Sequence, residues 1–247
     1  MNLSIHPTAE AANDAAADCL AGWLALPDTR TFMPAAGNTP LELYRCIGRR
    51  GLALEHLTVF TLDEYVGVPL EETRNCAHLL RRCVQEDWRI PPAQFHVVSS
   101  LEADALASVQ EHERKITAAG GLDVLVLGLG QNGHLGFNEP GSEEDSAGRL
   151  LDLEPVSIEA NRKWFGNDYA PAQGVTVGLR TILAARRILI MAYGAHKTAA
   201  VRAMVEGPRS SRCPASFLQG HPNTHLFLDA EAAAALSTPR PATFSTR

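Results

Sequence analysis

The apolar run Val124-Leu-Val-Leu127 leads directly into Gly128-Leu-Gly-Gln-Asn-Gly-His134-Leu-Gly-Phe-Asn-Glu139-Pro-Gly141. Such a run, begun at Leu122 and closed by glycine, reads as a buried strand. The segment from Gly128 to Gly141 cannot be a helix: the glycines admit positive φ and close approach to a ligand, and Pro140 removes a donor and blocks the preceding turn. A loop at the carboxyl end of a buried strand is where open parallel sheets bind ligands. His134 and Glu139 are therefore expected to face a cleft.

Gly128-x-Gly130-x-x-Gly133 also spells the dinucleotide fingerprint, with Glu154 at a plausible distance. The context argues against it. That fingerprint needs its third glycine to open a helix whose amino end holds the pyrophosphate, and here two helix breakers come next, in mid-chain. A nicotinamide enzyme is not expected.

Along the rest of the chain, strands alternate with helices. An amphipathic helix over Ala15–Leu26 precedes a strand over Thr31–Ala35, and Ala36-Gly-Asn-Thr-Pro40 turns into a helix over Leu41–Arg49. The run Leu57–Leu62 is β-rich and ends at Asp63-Glu64. A helix over Ala77–Trp88, a strand over Phe95–Val98 and a helix over Ala103–Ala119 lead to the opening strand. Beyond it come a strand over Arg187–Tyr193, a helix over Lys197–Glu206, a strand over Thr224–Leu228, an alanine-rich helix and a frayed tail after Leu236. This alternation predicts an α/β fold: a doubly wound, mostly parallel sheet with helices on both faces, a Rossmann-like three-layer arrangement. The 247 residues, 45% of them hydrophobic, are read as one domain, 1–247.

Net charge is −6, with 22 basic and 28 acidic residues spread along the chain, so no nucleic-acid-binding stripe is expected. Five cysteines (Cys19, Cys46, Cys76, Cys83, Cys213) are odd in number and lack metal-ligand spacing, which suits reduced thiols and no metal. The first helix is too short and too charged to span a bilayer, so a soluble, cytoplasmic protein without membrane partners is expected.

Gly37 to Thr39, Asp63-Glu64, His134, Glu139 and Gly194-Ala-His-Lys197 all fall at predicted strand ends. Amides of a small-residue turn together with a lysine suit a phosphate. A carboxylate such as Asp63 can take a carbon-bound proton, an imidazole moves protons at neutral pH, and Glu139 can orient that imidazole. The residues alone support proton transfer on a phosphorylated small molecule.

At Asp63-Glu-Tyr-Val-Gly67 and Asn132-Gly-His-Leu-Gly-Phe-Asn-Glu-Pro-Gly141 the chain resembles the glucosamine-6-phosphate deaminase/isomerase family, and the likeness extends from Ala36-Gly-Asn-Thr-Pro40 through Gly194-x-x-Lys197 to Pro214-Ala-Ser216. The related 6-phosphogluconolactonases share the Gly-His pair but continue Thr-Ala-Ser-Leu-Phe-Pro, which this chain does not. The resemblance implies opening of a pyranose, a proton shift between C2 and C1, and release of the C2 amine as ammonia, with no metal or organic cofactor. It implies Asp63 as the C2-to-C1 base, His134 as the ring-opening acid/base with Glu139 as its partner, and Gly37, Asn38, Thr39 and Lys197 as phosphate contacts.

The chain departs from the family pattern in places. Asn132 stands where some members have an aspartate and is expected to tune His134. Lys163 stands where a phosphate-binding arginine is usual, with Arg162 one position early, and a lysine offers a point charge in place of a planar fork. Leu151 replaces a lysine of allosteric members and their longer carboxyl-terminal extension is missing, so no activation by an amino-sugar phosphate is expected. Asn75-Cys-Ala-His78 and Pro214-Ala-Ser-Phe-Leu-Gln219 look nearer to galactosamine-6-phosphate isomerases. The epimer preference stays open, as does assembly into a homo-oligomer. Lactone hydrolysis, or sugar-phosphate binding without turnover, are the alternatives. Among the tryptophans, Trp164 is the one expected to cover a ligand.

Overall fold

The computed structural model describes residues 1–237; the tail expected to fray after Leu236 lies, from residue 238 onward, outside them. Its strands are β1 (Asn2–His6), β2 (Thr31–Pro34), β3 (Thr58–Phe60), β4 (Asp63–Tyr65), β5 (Phe95–His96), β6 (Val124–Gly128), β7 (Arg149–Asp152), β8 (Gln173–Thr176), β9 (Arg187–Ala192) and β10 (Thr224–Asp229). Its α-helices are α1 (Ala9–Leu24), α2 (Asn38–Arg49), α3 (Cys76–Leu80), α4 (Glu102–Ala118), α5 (Pro155–Trp164), α6 (Leu179–Leu183) and α7 (Thr198–Glu206).

Seven strands form a wholly parallel sheet in the order β1-β10-β9-β6-β2-β3-β5. Strands buried on both faces need apolar side chains at every position, because successive residues point to opposite sides. In β6, Leu125 and Leu127 join the core beneath α4, α6 and α7. Val124 and Val126 join the opposite core with α1, α2 and the segment after α3. The expected doubly wound, three-layer fold is the one observed.

The chain runs outward from β2 to β3 and β5, then returns to β6 on the other side of β2 and continues to β9 and β10. The carboxyl ends of β2 and β6 therefore diverge into opposite connections, which opens a crevice between them. At the other end of the sheet, Asp123 fastens the strands together: its carboxylate accepts from the Arg30 and Thr31 amides at 2.7 and 3.0 Å and from Arg186 at 2.8 Å.

A second, antiparallel sheet, β4-β8-β7, sits beside the crevice and was not expected. Asp63 does not simply end a strand: β3 stops at Phe60, and Asp63 opens β4, paired with Thr176. The helix expected over Ala77–Trp88 is α3 followed by a π-helical turn, Arg81–Glu86. The wider turn accompanies burial of Trp88, which stacks on Phe32 at 5.3 Å and donates to the Tyr44 carbonyl. The alanine-rich segment after β10 forms consecutive turns instead of a helix. Of its amides, Ala233 bonds four residues back, whereas Ala234 and Leu236 bond three back, so no helical ladder is nucleated there.

Candidate active site

The crevice is a cleft of about 280 Å³. One end is built by the turn after β2. Gly37 takes φ +116°, a conformation that favours glycine, and lets α2 begin at Asn38 with no side chain capping it. The free amides and positive end of α2 therefore point into the cleft. Tyr44 holds the turn from behind by donating to the Ala35 carbonyl at 2.9 Å. Lys197 enters from the far side; its ammonium donates to the Leu129 carbonyl at 2.6 Å, and burial lowers its pKa to about 8. His196 also lines this end, its pKa lowered by burial and by the Lys197 charge.

The other end is built by β4. Pleating turns Asp63 and Tyr65 into the cleft and Glu64 away from it. Glu64 instead accepts from the amides of Cys76, Ala77 and Tyr65, the first two at the amino end of α3. Burial pushes its pKa up to about 7 against the pull of those bonds. Asp63 is 8% exposed, and burial, followed by the Glu64 charge, pushes its pKa up to about 8. Gly136, at φ +59°, lies so close that an added Cβ would stand 3.1 Å from Asp63 Oδ2 and 2.8 Å from Thr176 Oγ1.

His134 faces Asp63's end of the cleft from the loop after β6. Its Nδ1 lies 3.2 Å from Glu139 Oε2 and 3.3 Å from Ser157 Oγ. Asn132 donates from Nδ2 to the same Glu139 oxygen at 2.7 Å and receives the His134 amide at 3.3 Å. Burial raises the Glu139 pKa, but the bond and charge of His134 and the bonds of Ser157 and Asn132 outweigh it and hold the carboxyl below its ordinary value. With Nδ1 engaged, Nε2 is the nitrogen left for chemistry. The ring lies across Gly130, where an added Cβ would come within 2.4 Å of Nε2.

Gly37, Asn38, Thr39, Asp63, His134 and Lys197 thus line one cleft, with Asn132 and Glu139 behind the imidazole. Arg162 and Lys163 are not among its lining residues, and Arg162 pairs with Glu159 at 3.5 Å. The inward stripe of α5 is Ser157, Ala160, Asn161 and Trp164, and helical geometry turns 162 and 163 elsewhere. Trp164 does line the cleft, as expected. Tyr65, Cys76, Ser157 and Asn161 were missed as wall residues. Pro155, at the first position of α5, was the one helical signal there, since the stripe of 157, 161 and 164 is mostly polar. Among the described residues no cluster of His, Cys, Asp and Glu suits a metal ion, and no helix is long and apolar enough to cross a membrane.

Comparison with known proteins places these features in a family. The sequence model for glucosamine-6-phosphate isomerases/6-phosphogluconolactonase matches residues 6–226. A glucosamine-6-phosphate deaminase of Halothermothrix orenii is 37% identical over 207 residues, covering 82% of this chain and 86% of its own. One of Corynebacterium kroppenstedtii is 37% identical over 241 residues, covering 96% and 93%. A solved monomeric glucosamine-6-phosphate deaminase superposes with a TM-score of 0.90 at 29% identity, covering 95% of this chain and 99% of that one. A 6-phosphogluconolactonase from Trypanosoma cruzi, at 20% identity and a TM-score of 0.78 over 96% and 97% of the two chains, shares the fold. The chain belongs to the family of glucosamine-6-phosphate isomerases and 6-phosphogluconolactonases.

Proposed function

We propose that the protein is an amino-sugar-phosphate deaminase that converts a 2-amino-2-deoxyhexose 6-phosphate and water to a ketose 6-phosphate and ammonia. The observation that carries this reading is Asp63: a buried carboxyl with a raised pKa, in the same cleft as the His134–Glu139 pair and the helix amino end. Hydrolysis of a lactone has no carbon-bound proton to move and does not need Asp63 as a carbon base. Relatives named for the deaminase at 37% identity support the same choice.

In this reading the phosphate sits on the α2 amides of the Gly37–Thr39 turn and on the Lys197 ammonium, which fixes the sugar's far end. His134 Nε2 gives a proton to the ring oxygen and takes one from the anomeric hydroxyl, which opens the ring. Asp63 removes the proton on C2 while the C1 carbonyl oxygen takes back the proton held by His134, which gives an enolamine; Asp63 then returns its proton to C1, and loss of a proton from nitrogen leaves an imine at C2. Water adds to that imine, the C2–N bond breaks, and ammonia leaves. Net chemistry is an isomerisation coupled to hydrolysis of a C–N bond. Asn132 and Glu139 support the imidazole, and Lys163 and Arg162, on α5 beside the cleft, contribute less to phosphate binding than Lys197. Five free cysteines suit a reducing compartment such as the cytoplasm.

The test is ammonia release from glucosamine 6-phosphate and galactosamine 6-phosphate side by side, with 6-phosphogluconolactone hydrolysis as control. Turnover of either amino sugar is expected, and the ratio gives the epimer preference. Lactone hydrolysis with no ammonia would overturn the reading.

A further inference from the structure

An amphipathic helix is ordinarily docked by an apolar stripe. Helix α5 is not: its two buried residues, Ser157 and Asn161, are both polar. None of its side chains belongs to either apolar core or to the residues packed against them. It is tied instead by side-chain hydrogen bonds to segments around the cleft. Trp164 Nε1 donates to the Arg74 carbonyl at 3.2 Å, Asn161 Oδ1 accepts from the Tyr65 hydroxyl at 2.9 Å, and Ser157 Oγ stands 3.3 Å from His134 Nδ1.

The Ser157 contact enters an unevenly satisfied network. Glu139 Oε2 serves both Asn132 and His134, while Oε1 is buried with no partner. The Ser157 hydroxyl helps hold the Glu139 carboxyl in its charged form. A hydroxyl is donor and acceptor at once, so it can accept from Nδ1–H and donate to the carboxylate. That fixes both the ring's orientation and the tautomer that leaves Nε2 for the substrate, much as outer partners orient metal-bound histidines.

We propose that Ser157 is a positioning residue through which the placement of α5 sets the orientation and proton affinity of the His134 imidazole. The inference rests on the proton-transfer reading of this site. The other titratable groups that line the cleft around the ring are Asp63, Tyr65, Cys76, His196 and Lys197, and Cys213 packs behind it on Gly133. Only Ser157 joins α5 to the ring directly. A shift of α5 therefore reaches the imidazole through one hydroxyl.

The experiment compares full-length wild type, Ser157→Ala and Ser157→Thr by two readouts. These are the pH dependence of kcat and kcat/KM for ammonia release, and the NMR titration of the His134 ring without ligand, assigned with His134→Gln. For Ser157→Ala, kcat is expected to fall about tenfold with KM changed less than about threefold. The acidic limb and the ring titration should move together by about 0.5 pH unit or more, and threonine should restore both. If Ser157→Ala does not fold, Ser157→Cys takes its place, keeping the volume and weakening the hydrogen bond. Ring titration and pH limb coincident with wild type, even with a lower Tm, would overturn the proposal. Should wild type release no ammonia, the functional reading fails, and the ring titration alone decides the role of Ser157.

Discussion

A pleated strand turns successive side chains to opposite faces, so the adjoining acids of β4 meet different surroundings. Glu64 is hydrogen-bonded to the amino end of α3, whereas Asp63 opens to the cleft with a pKa pushed up to about 8. Folding raises the affinity of Asp63 for its proton above that of the unfolded chain. Its contribution to stability is therefore full below the ordinary carboxylate range, declines as pH rises, and is lost above about 8. Asp63→Asn removes the titration and keeps the shape. The variant should melt higher than wild type at alkaline pH, with the gap closing towards acid, as calorimetry across pH would show. Ammonia release by the same variant should fall by about 10²-fold or more, because Asp63 is the carbon base of the proposed mechanism. Wild-type kcat/KM should rise with pH as Asp63 ionises. A variant that loses activity without gaining alkaline stability would mean that burial of the Asp63 charge costs the fold nothing.

At the scale of elements, the proposed phosphate end pairs one helix terminus with one half-buried ammonium. Lys197 is already partly desolvated, with burial lowering its pKa to about 8. A bound phosphate would restore a charged partner. Lys197→Ala should raise KM by about tenfold or more and by a larger factor than Lys163→Ala, with Lys197→Arg between wild type and alanine. Steady-state kinetics of the three variants decides the order. The inner elements of the large sheet were legible because their apolar runs are long and uninterrupted, as in Val124–Leu127 and Ile188–Ala192, whereas the edge strand β1, Asn2-Leu-Ser-Ile-His6, mixes polar and apolar residues and was not expected. The turn at Gly37 was legible from its run of small residues before Pro40, and the His134 loop because glycine, histidine and carboxylate crowd together there. The small sheet was not: β7 and β8 are four residues each, and Arg149-Leu-Leu-Asp152 and Gln173-Gly-Val-Thr176 carry no clear alternation. Helix α5 escaped for a related reason. Its buried stripe is polar, so hydrophobic periodicity could not mark it, and the wall residues Ser157 and Asn161 went with it.

At the scale of the whole molecule, one end of the sheet is fastened and the other is left open as a cleft. Asp123 clamps β2 and β9 near their amino ends, and the groups of the proposed active site gather where β2 and β6 part. The edge beyond β9 is completed by β10 and then by β1, whose residues Asn2 to His6 pair with His225 to Asp229. Leu3 and Ile5 of that strand pack against the same core as Leu226 and Leu228. Deleting residues 1–7 should therefore lower Tm by about 5 °C or more while leaving the cleft residues in place, so that kcat in the cold is retained. Thermal melting and assay of the truncated chain test both parts. The β1–β10 pairing also bears on how the protein is made. Strand β1 leaves the ribosome before the other described strands, yet β10, its one neighbour among them, is the last of those strands in sequence. While the residues between the two strands are made it has no partner in the sheet, and a contact so distant in sequence is slow to close. A nascent chain is thus obliged to carry an unpaired strand until β10 emerges, and in that interval a chaperone has a segment to hold.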